Sequence, residues 1–317
     1  MVAYKIFYKD MRDLSSFTNT VFEEGETYES DRCVYECWVN ALDCLLSTNT
    51  PTEYLYHEVY VEETNVSKKS KIGKIYACKI KIGREIGIDQ ILCIANSSNK
   101  VCVKFQDYSI SFRNFKESVA YIEGIMSIAA VAGKNSIAIS DGYCGNAVSL
   151  SENSCAVTLD SESIAVARHD FSTALCKKSL SIALTSAPYC WAHTCENNGI
   201  AISSGEYSLS TASGDISIAI ATGIGSFAEV KTAESMAVCL GNGGVAKGVV
   251  GSWIILSEFD EECNFKMIKS FKVDGNKIKT DRWYGLYRGR LVLMDKSYGP
   301  IVCMNKIESP DWTPEKV

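Results

Sequence analysis

From Ser109 to Ser252 small, apolar and polar positions recur every nine residues, through sixteen copies without an insertion or deletion. Ser118-Val119-Ala120 is followed by Ser127-Ile128-Ala129 and Ser136-Ile137-Ala138, and the step holds to Gly244-Val245-Ala246. The third position is Ala in fourteen of the sixteen copies, with Ser111 and Ser210 as the exceptions. A short fixed period of this kind marks a solenoid, whose units cannot bury their apolar atoms alone and stack on their neighbours. Nine residues are too few for a helical hairpin. Cores such as Ser163-Ile164-Ala165-Val166 are β-branched with period-two alternation, so each unit reads as strand plus turn. Gly recurs at the seventh position (Gly124, Gly133, Gly142, Gly205, Gly214, Gly223, Gly241), where the turn is expected to need a residue without Cβ.

Alternate units differ. In every second one the fourth position is apolar throughout: Phe112, Ala130, Val148, Val166, Leu184, Ile202, Ile220, Val238. In the other set it turns polar halfway, from Tyr121, Ile139, Val157 and Leu175 to His193, Thr211, Glu229 and Lys247. Two units therefore make one coil of eighteen residues, with two unequal parallel sheets and eight coils forming a rod roughly 38 Å long. Two inside-out assignments satisfy this pattern. If the small first and third positions point inward, one sheet displays Ile164/Val166, Ile182/Leu184, Ile200/Ile202 and Ile218/Ile220 as an apolar strip, interrupted at Asn146, that needs a cover. If the Ile residues point inward, they form an ordinary core.

The flanks have a different texture. Residues 1–105 read as an N-terminal α+β domain, with strands near Ala3–Tyr8, Tyr54–Val61 and Lys74–Ile82, a helix near Val39–Leu46 and an exposed loop from Asn65 to Lys71. After the solenoid (109–252), residues 253–317 read as a C-terminal β meander cap with strands at Trp253–Leu256, Phe265–Val273 and Arg290–Met294. Asp274-Gly275 is expected to be a hairpin turn, and Pro310–Pro314 a loose tail. A solenoid end is an open sheet edge, so both flanks are expected to serve as caps.

Composition narrows the function. The 317 residues carry a net charge of −6 and no basic run or aromatic-basic patch, which argues against a nucleic-acid partner. No apolar stretch is long enough to span a membrane. Met1-Val2-Ala3-Tyr4-Lys5 lacks the apolar segment of a signal peptide, so a cytoplasmic place, in a host cell or a virion, is expected. The fourteen Cys are then expected to be small reduced residues rather than a disulfide framework.

Further resemblance lies in Tyr4-Lys5-x-Phe7, Lys9-Asp10-Met11, Phe22-Glu23-Glu24-Gly25-x-x-Tyr28, Ala41-Leu42-Asp43 and Lys79-Ile80-Lys81-Ile82-Gly83-x-Glu85-Ile86. These are followed by Ser217–Gly223, Gly248–Leu256 and Val273-Asp274-Gly275-x-Lys277-Ile278-Lys279. In that order they resemble an uncharacterised family of bacterial and phage proteins with an N-terminal Tyr-Lys-x-Phe domain and Ser-Ile-Ala-Ile-Ala-Thr-Gly repeats. The repeat is also similar to the heads of trimeric autotransporter adhesins, which are exported and trimerise. That family's N-terminal Cys-Glu-x-Gly-Phe-His-Ala-Cys stretch resembles ADP-ribosyltransferase-like folds. Here the matching residues are Val34-Tyr35-Glu36 and Ala41-Leu42-Asp43, which keep the aromatic and lack the Gly and the His.

Chemical candidates are few. Cys190, His193 and Cys195 lie close in sequence, but strand alternation sends Cys190 and His193 to opposite faces, so no metal site is expected. The turns lack the Gly-Gly-x-Gly-x-Asp pattern of calcium-binding rolls. Gly241-Asn242-Gly243-Gly244 opens no helix and so only superficially resembles a phosphate cradle. With three His and no nucleophile motif, no catalytic residue and no cofactor are assigned. The expectation is a non-enzymatic scaffold or binding protein, phage- or mobile-element-encoded, that forms a dimer or trimer through the Ile strip and can hold a protein partner. The alternative is an effector enzyme whose N-terminal domain is a degenerate ADP-ribosyltransferase and whose solenoid is a spacer.

Overall fold

A computed structural model describes residues 1–14, 20–48, 54–62, 66–67, 73–95, 101–294 and 315–316. The chain divides into two compact units, Met1–Val103 and Lys104–Val317, and the division falls within the strand Val101–Phe105.

The first unit is a seven-stranded sheet with two helices. Its strands are β1 (Val2–Phe7), β2 (Thr27–Glu29), β3 (Tyr35–Trp38), β4 (Leu55–Val61), β5 (Val66–Ser67), β6 (Lys74–Ala77) and β7 (Lys79–Glu85), paired in the order β2-β7-β4-β1-β3-β6-β5. The helices are α1 (Ala41–Leu46), opened by the Asn40 side chain accepting from the Leu42 N–H, and α2 (Ile88–Ala95). The strand expected over Lys74–Ile82 is thus broken at Cys78, and Val66–Ser67, expected within a loop, is a short strand. The rest of that loop lies outside the described residues. Strand alternation packs Phe7, Cys37, Val59, Ile75 and Ile80 into the core, joined by Phe22 from outside the strands. Lys5 is buried among them because its ammonium pairs with Asp13 (2.9 Å) and donates to the Glu36 carbonyl (3.0 Å). A buried charge without such partners would be ejected or neutralised. Cys33 and Cys78 are joined as a disulfide, which corrects the expectation that the cysteines are all reduced.

The second unit is the parallel β-solenoid, of about nine coils at eighteen residues each. Ala129 lies opposite Ala147, Ala147 opposite Ala165, and Ala183 opposite Ala201 on adjacent coils. Ile110–Arg113, Ile128–Val131 and every second strand onward form a ten-stranded sheet, here the isoleucine sheet, and the strands between them belong to a twelve-stranded opposite sheet. The first, third and fifth positions point inward. Every third-position Ala and nearly every first-position Ser is sealed from solvent. That decides between the two readings left open by the sequence: the interior is the small-residue one and the Ile side chains are outside. Ser210, where Ala is usual, is satisfied by donating its proton to Ile220 O (2.6 Å), with Ser203 Oγ 2.8 Å away to donate in turn to Ser210 Oγ.

The first-position Ser is held by the backbone. Ser136 Oγ accepts from the Ser118 N–H one coil back (3.1 Å) and donates to the Phe115 carbonyl in the preceding turn (3.1 Å). Ser154 repeats this with Ser136 and Gly133, and Ser208 with Cys190 and Ala187. Where Cys190 replaces Ser, its thiol still donates to the His169 carbonyl. Where both bonds are made, the hydroxyl satisfies a buried N–H and a buried C=O that would otherwise cost about 1–3 kcal/mol apiece, whereas Ser163, Ser181 and Ser217 donate to a carbonyl of their own turn.

The left-handed residue of each turn is the ninth position, not the seventh. Glu117, Met126, Asn135, Phe171, Tyr207 and Glu234 all have φ between 52 and 59°. The seventh-position glycines are needed for a different reason: a Cβ at Gly133 would lie 1.9 Å from the Phe115 carbonyl oxygen, and one at Gly241 would lie 1.7 Å from that of Gly223. Their place in the sequence is set by the approach of successive coils. The nine-residue step also ends earlier than the sequence implies. Met236 is paired with Trp253, seventeen residues on, so the last unit has eight residues, and Gly251 (φ 95°) is its left-handed residue.

Beyond the coils, Trp253–Phe259 and Phe265–Lys272 form a hairpin closing the isoleucine sheet, while Tyr284–Tyr287 and Arg290–Leu293 extend the opposite one. The hairpin turn is Asp260–Asn264. Asp274-Gly275 is instead an Asx turn, in which Asp274 Oδ1 accepts from the Asn276 and Ile278 N–H groups. The expected tail at Pro310–Pro314 lies outside the described residues. At the other end, the carbonyls of the edge strand Ile110–Arg113 are taken up by cations: Lys104 Nζ donates to Ile110 O and Arg113 Nη1 to Phe112 O. The outermost strand of the hairpin carries Lys266, Lys269 and Lys272, charges that discourage further pairing.

Two variants test this architecture. Ala183→Leu adds side-chain bulk where the sealed interior leaves no space and is expected to destabilise by about 1–3 kcal/mol in urea melts. An unchanged midpoint would mean the third position is not inside. Glu234→Gly relieves an exposed left-handed residue and is expected to stabilise by roughly 0.5–1 kcal/mol. A drop in melting temperature would contradict the assigned turn.

Candidate functional site

The outward second and fourth positions of the isoleucine sheet lie in two in-register columns. Ile164, Ile182, Ile200 and Ile218 are neighbours on successive coils, and Val166, Leu184, Ile202 and Ile220 run beside them. All but Ile164 are flanked above and below by another apolar side chain and are half-buried; Ile164, with Asn146 on one side, is exposed at 36%. All eight residues singled out from the sequence thus share one face. The columns run on to Ile110 and Phe112 at one end and Trp253 at the other, all three exposed.

The face is wider than the sequence pattern indicates. The turns leading into the isoleucine sheet expose Tyr108, Met126, Leu180 and Ile216 at their ninth positions, with Ile125 and Tyr143 beside them. A left-handed turn residue on a corner cannot reach the interior, so these apolar groups form a rim along one side of the columns. Reading the ninth position as a column, rather than the seventh, would have found them.

The opposite sheet is different in kind. Its outward Val119, Tyr121, Ile137, Ile139, Val157 and Leu175 are buried. Its polar half holds an ion pair, Glu229–Lys247 at 2.8 Å, and the Lys247 ammonium also sits 4.9 Å from the centre of the Trp283 ring.

Cys190 points into the solenoid, whereas His193 points out, stacks on Trp191 and places Nε2 3.0 Å from Ser213 Oγ and 3.9 Å from Cys195 Sγ. Among the described residues no group of three or more His, Cys, Asp or Glu is placed to hold a metal ion. Gly243-Gly244 lines a cleft of about 320 Å³ whose other walls include Glu258, Asp260, Glu261 and Tyr287. Burial opposes ionisation of Glu258, but bonds from Lys266 and the Gly289 N–H outweigh it and hold its carboxyl below the ordinary carboxylate range. An acidic cleft repels a phosphate, so the cradle reading fails on charge as well as on local fold. No helix among the described residues is long and apolar enough to cross a membrane. No protein-family model, no curated protein and no solved structure matches this chain.

Three buried thiols are shut off from chemistry: Cys176 and Cys239 inside the solenoid, and Cys155 on the covered outer face of the opposite sheet. Burial pushes Cys155 and Cys239 up to about 12 and Cys176 up to about 11, against about 8.5 for a free thiol. Native protein is expected to leave these three unmodified by iodoacetamide at pH 8 while the exposed Cys263 reacts, as read by mass spectrometry of the digest. Because their folded values are raised, the unfolded chain loses thiol protons first. Their contribution to stability is therefore intact below pH about 8.5 and falls as the pH rises towards 12. Alkylation of Cys155 in folded protein at pH 8 would overturn this placement.

Proposed function

We propose that the protein is a non-enzymatic scaffold, phage- or mobile-element-encoded, whose solenoid presents a rigid apolar face and self-associates through it. The single observation that carries this reading is the run of apolar columns from Ile110 to Trp253, broken only at Asn146, on an outward sheet face. Nine strands at about 4.8 Å give a face about 40 Å long. With its rim the face is about 15 Å wide, or roughly 600 Å² per copy, at the low end for one side of a specific interface. Patches of this size on a soluble protein mark interaction sites. A closed symmetry brings identical patches together and covers both at once. Cationic side chains at the edge strands weigh against end-to-end growth and favour association through the face.

The alternative, an effector enzyme built on the first unit, gains nothing from the residues it would use. Glu36 is engaged by Lys74 at 2.6 Å, Tyr35 is in the core, and Ala41 and Leu42 are buried in α1. Light scattering at micromolar concentration tests the proposal. A species of at least twice 34.8 kDa is expected, reverting to 34.8 kDa in Ile200→Lys with the β circular dichroism unchanged. A parent protein that runs at 34.8 kDa would overturn it.

A further inference from the structure

One residue on the apolar face breaks its pattern. Asn146 occupies the second position between Ile128 and Ile164, with its side chain outward and half-buried. Among the described residues its carboxamide makes no hydrogen bond within the chain, while its backbone is held in the sheet, its N–H donating to Ser127 O. Covering this face with apolar surface would strand an amide with two donors and an acceptor, at a cost that an Ile in its place would avoid.

Resting on the proposed self-association, we infer that the occupant of this face is a second copy of the chain, arranged as a parallel, in-register dimer whose two-fold axis runs along the solenoid. With the axis over the second-position column, which lies between the rim and the fourth-position column, every coil faces its own counterpart and Asn146 meets Asn146 of the other copy. Two carboxamides satisfy each other, the N–H of one donating to the carbonyl oxygen of the other. The antiparallel alternative, centred on Ile182, places coil against coil in reverse order. It sets Asn146 against Ile218 and Ile220, where the amide is buried without a partner. A single polar residue in an apolar seam specifies register and orientation in coiled coils by the same reasoning, at some loss of stability. Asn146 lies four coils from Ile218, so the two arrangements cannot be confused.

The test uses charge swaps on the full chain, read by native mass spectrometry. Asn146→Asp and Asn146→Lys each place like charges in apposition in the parallel dimer, and each alone is expected to weaken the dimer by about tenfold or more. Mixed, they are expected to form a one-to-one heterodimer. Ile218→Lys mixed with Asn146→Asp is expected to rescue nothing. Circular dichroism melts of each variant verify that the solenoid is folded, which the outward position of both side chains favours. Rescue by the Asn146→Asp and Ile218→Lys pair would overturn the parallel register in favour of the antiparallel one. A parent dimer with no rescue in either mixture would overturn the pairing of Asn146 while leaving self-association standing. A monomeric parent would overturn both, and a trimer would overturn the two-fold arrangement.

Discussion

The solenoid depends on a backbone problem solved by one atom. Every coil must turn twice, and a turn leaves a carbonyl and, three residues on, an N–H that both point at the next coil, inside the wall. The first-position hydroxyl sits between them, taking the N–H from one coil and giving its proton to the carbonyl of the turn. It has to be small, because it lies in the narrow interior; Ser there both donates and accepts, while Gly145, Gly199 and Gly244 leave the position without a hydroxyl. Cys190 meets the donor half. The third position has no polar duty and is reduced to Ala. Once these two columns are set, the second and fourth positions can only face outward.

That account explains what could be read from the chain and what could not. The period, the strand-turn unit and the coil length follow from Ser and Ala columns, whose identities are forced. The direction of the Ile residues does not, because an alternating strand reads the same from either face; only the burial of the fifth position with the first and third, seen with Ser203, Ala221 and Cys239 inside, makes the interior unambiguous. The left-handed ninth position was hidden because Glu, Phe, Tyr, Leu and Ile occupy it, whereas glycine drew attention to the seventh. The shortened last unit was hidden by Ser252, which takes the place of a first-position Ser one residue early.

The candidate face was legible as two columns and no further. Its eight central residues lie on strands, where alternation is informative, and its rim lies on turns, where it is not. In the first unit, Asn40 before α1 is an ordinary capping signal, but the Cys33–Cys78 bond joins residues forty-five apart with no spacing rule to mark them. Buried Lys5 has the same character: nothing in a strand's pattern announces that Asp13 will fold back to meet it.

The alternation of unlike halves has a consequence for how such a chain can change in length. Removing eighteen residues deletes one coil and leaves every later column on its own sheet. Removing nine keeps the Ser and Ala ladders intact, so the rod would still close. It would, however, transpose the two exteriors beyond the cut, carrying the Glu229–Lys247 pair onto the isoleucine side and the Ile columns onto the other. Duplications and losses are thus neutral for the core at nine residues but neutral for the surface only at eighteen. A lineage that needs its apolar face unbroken can vary only by whole coils.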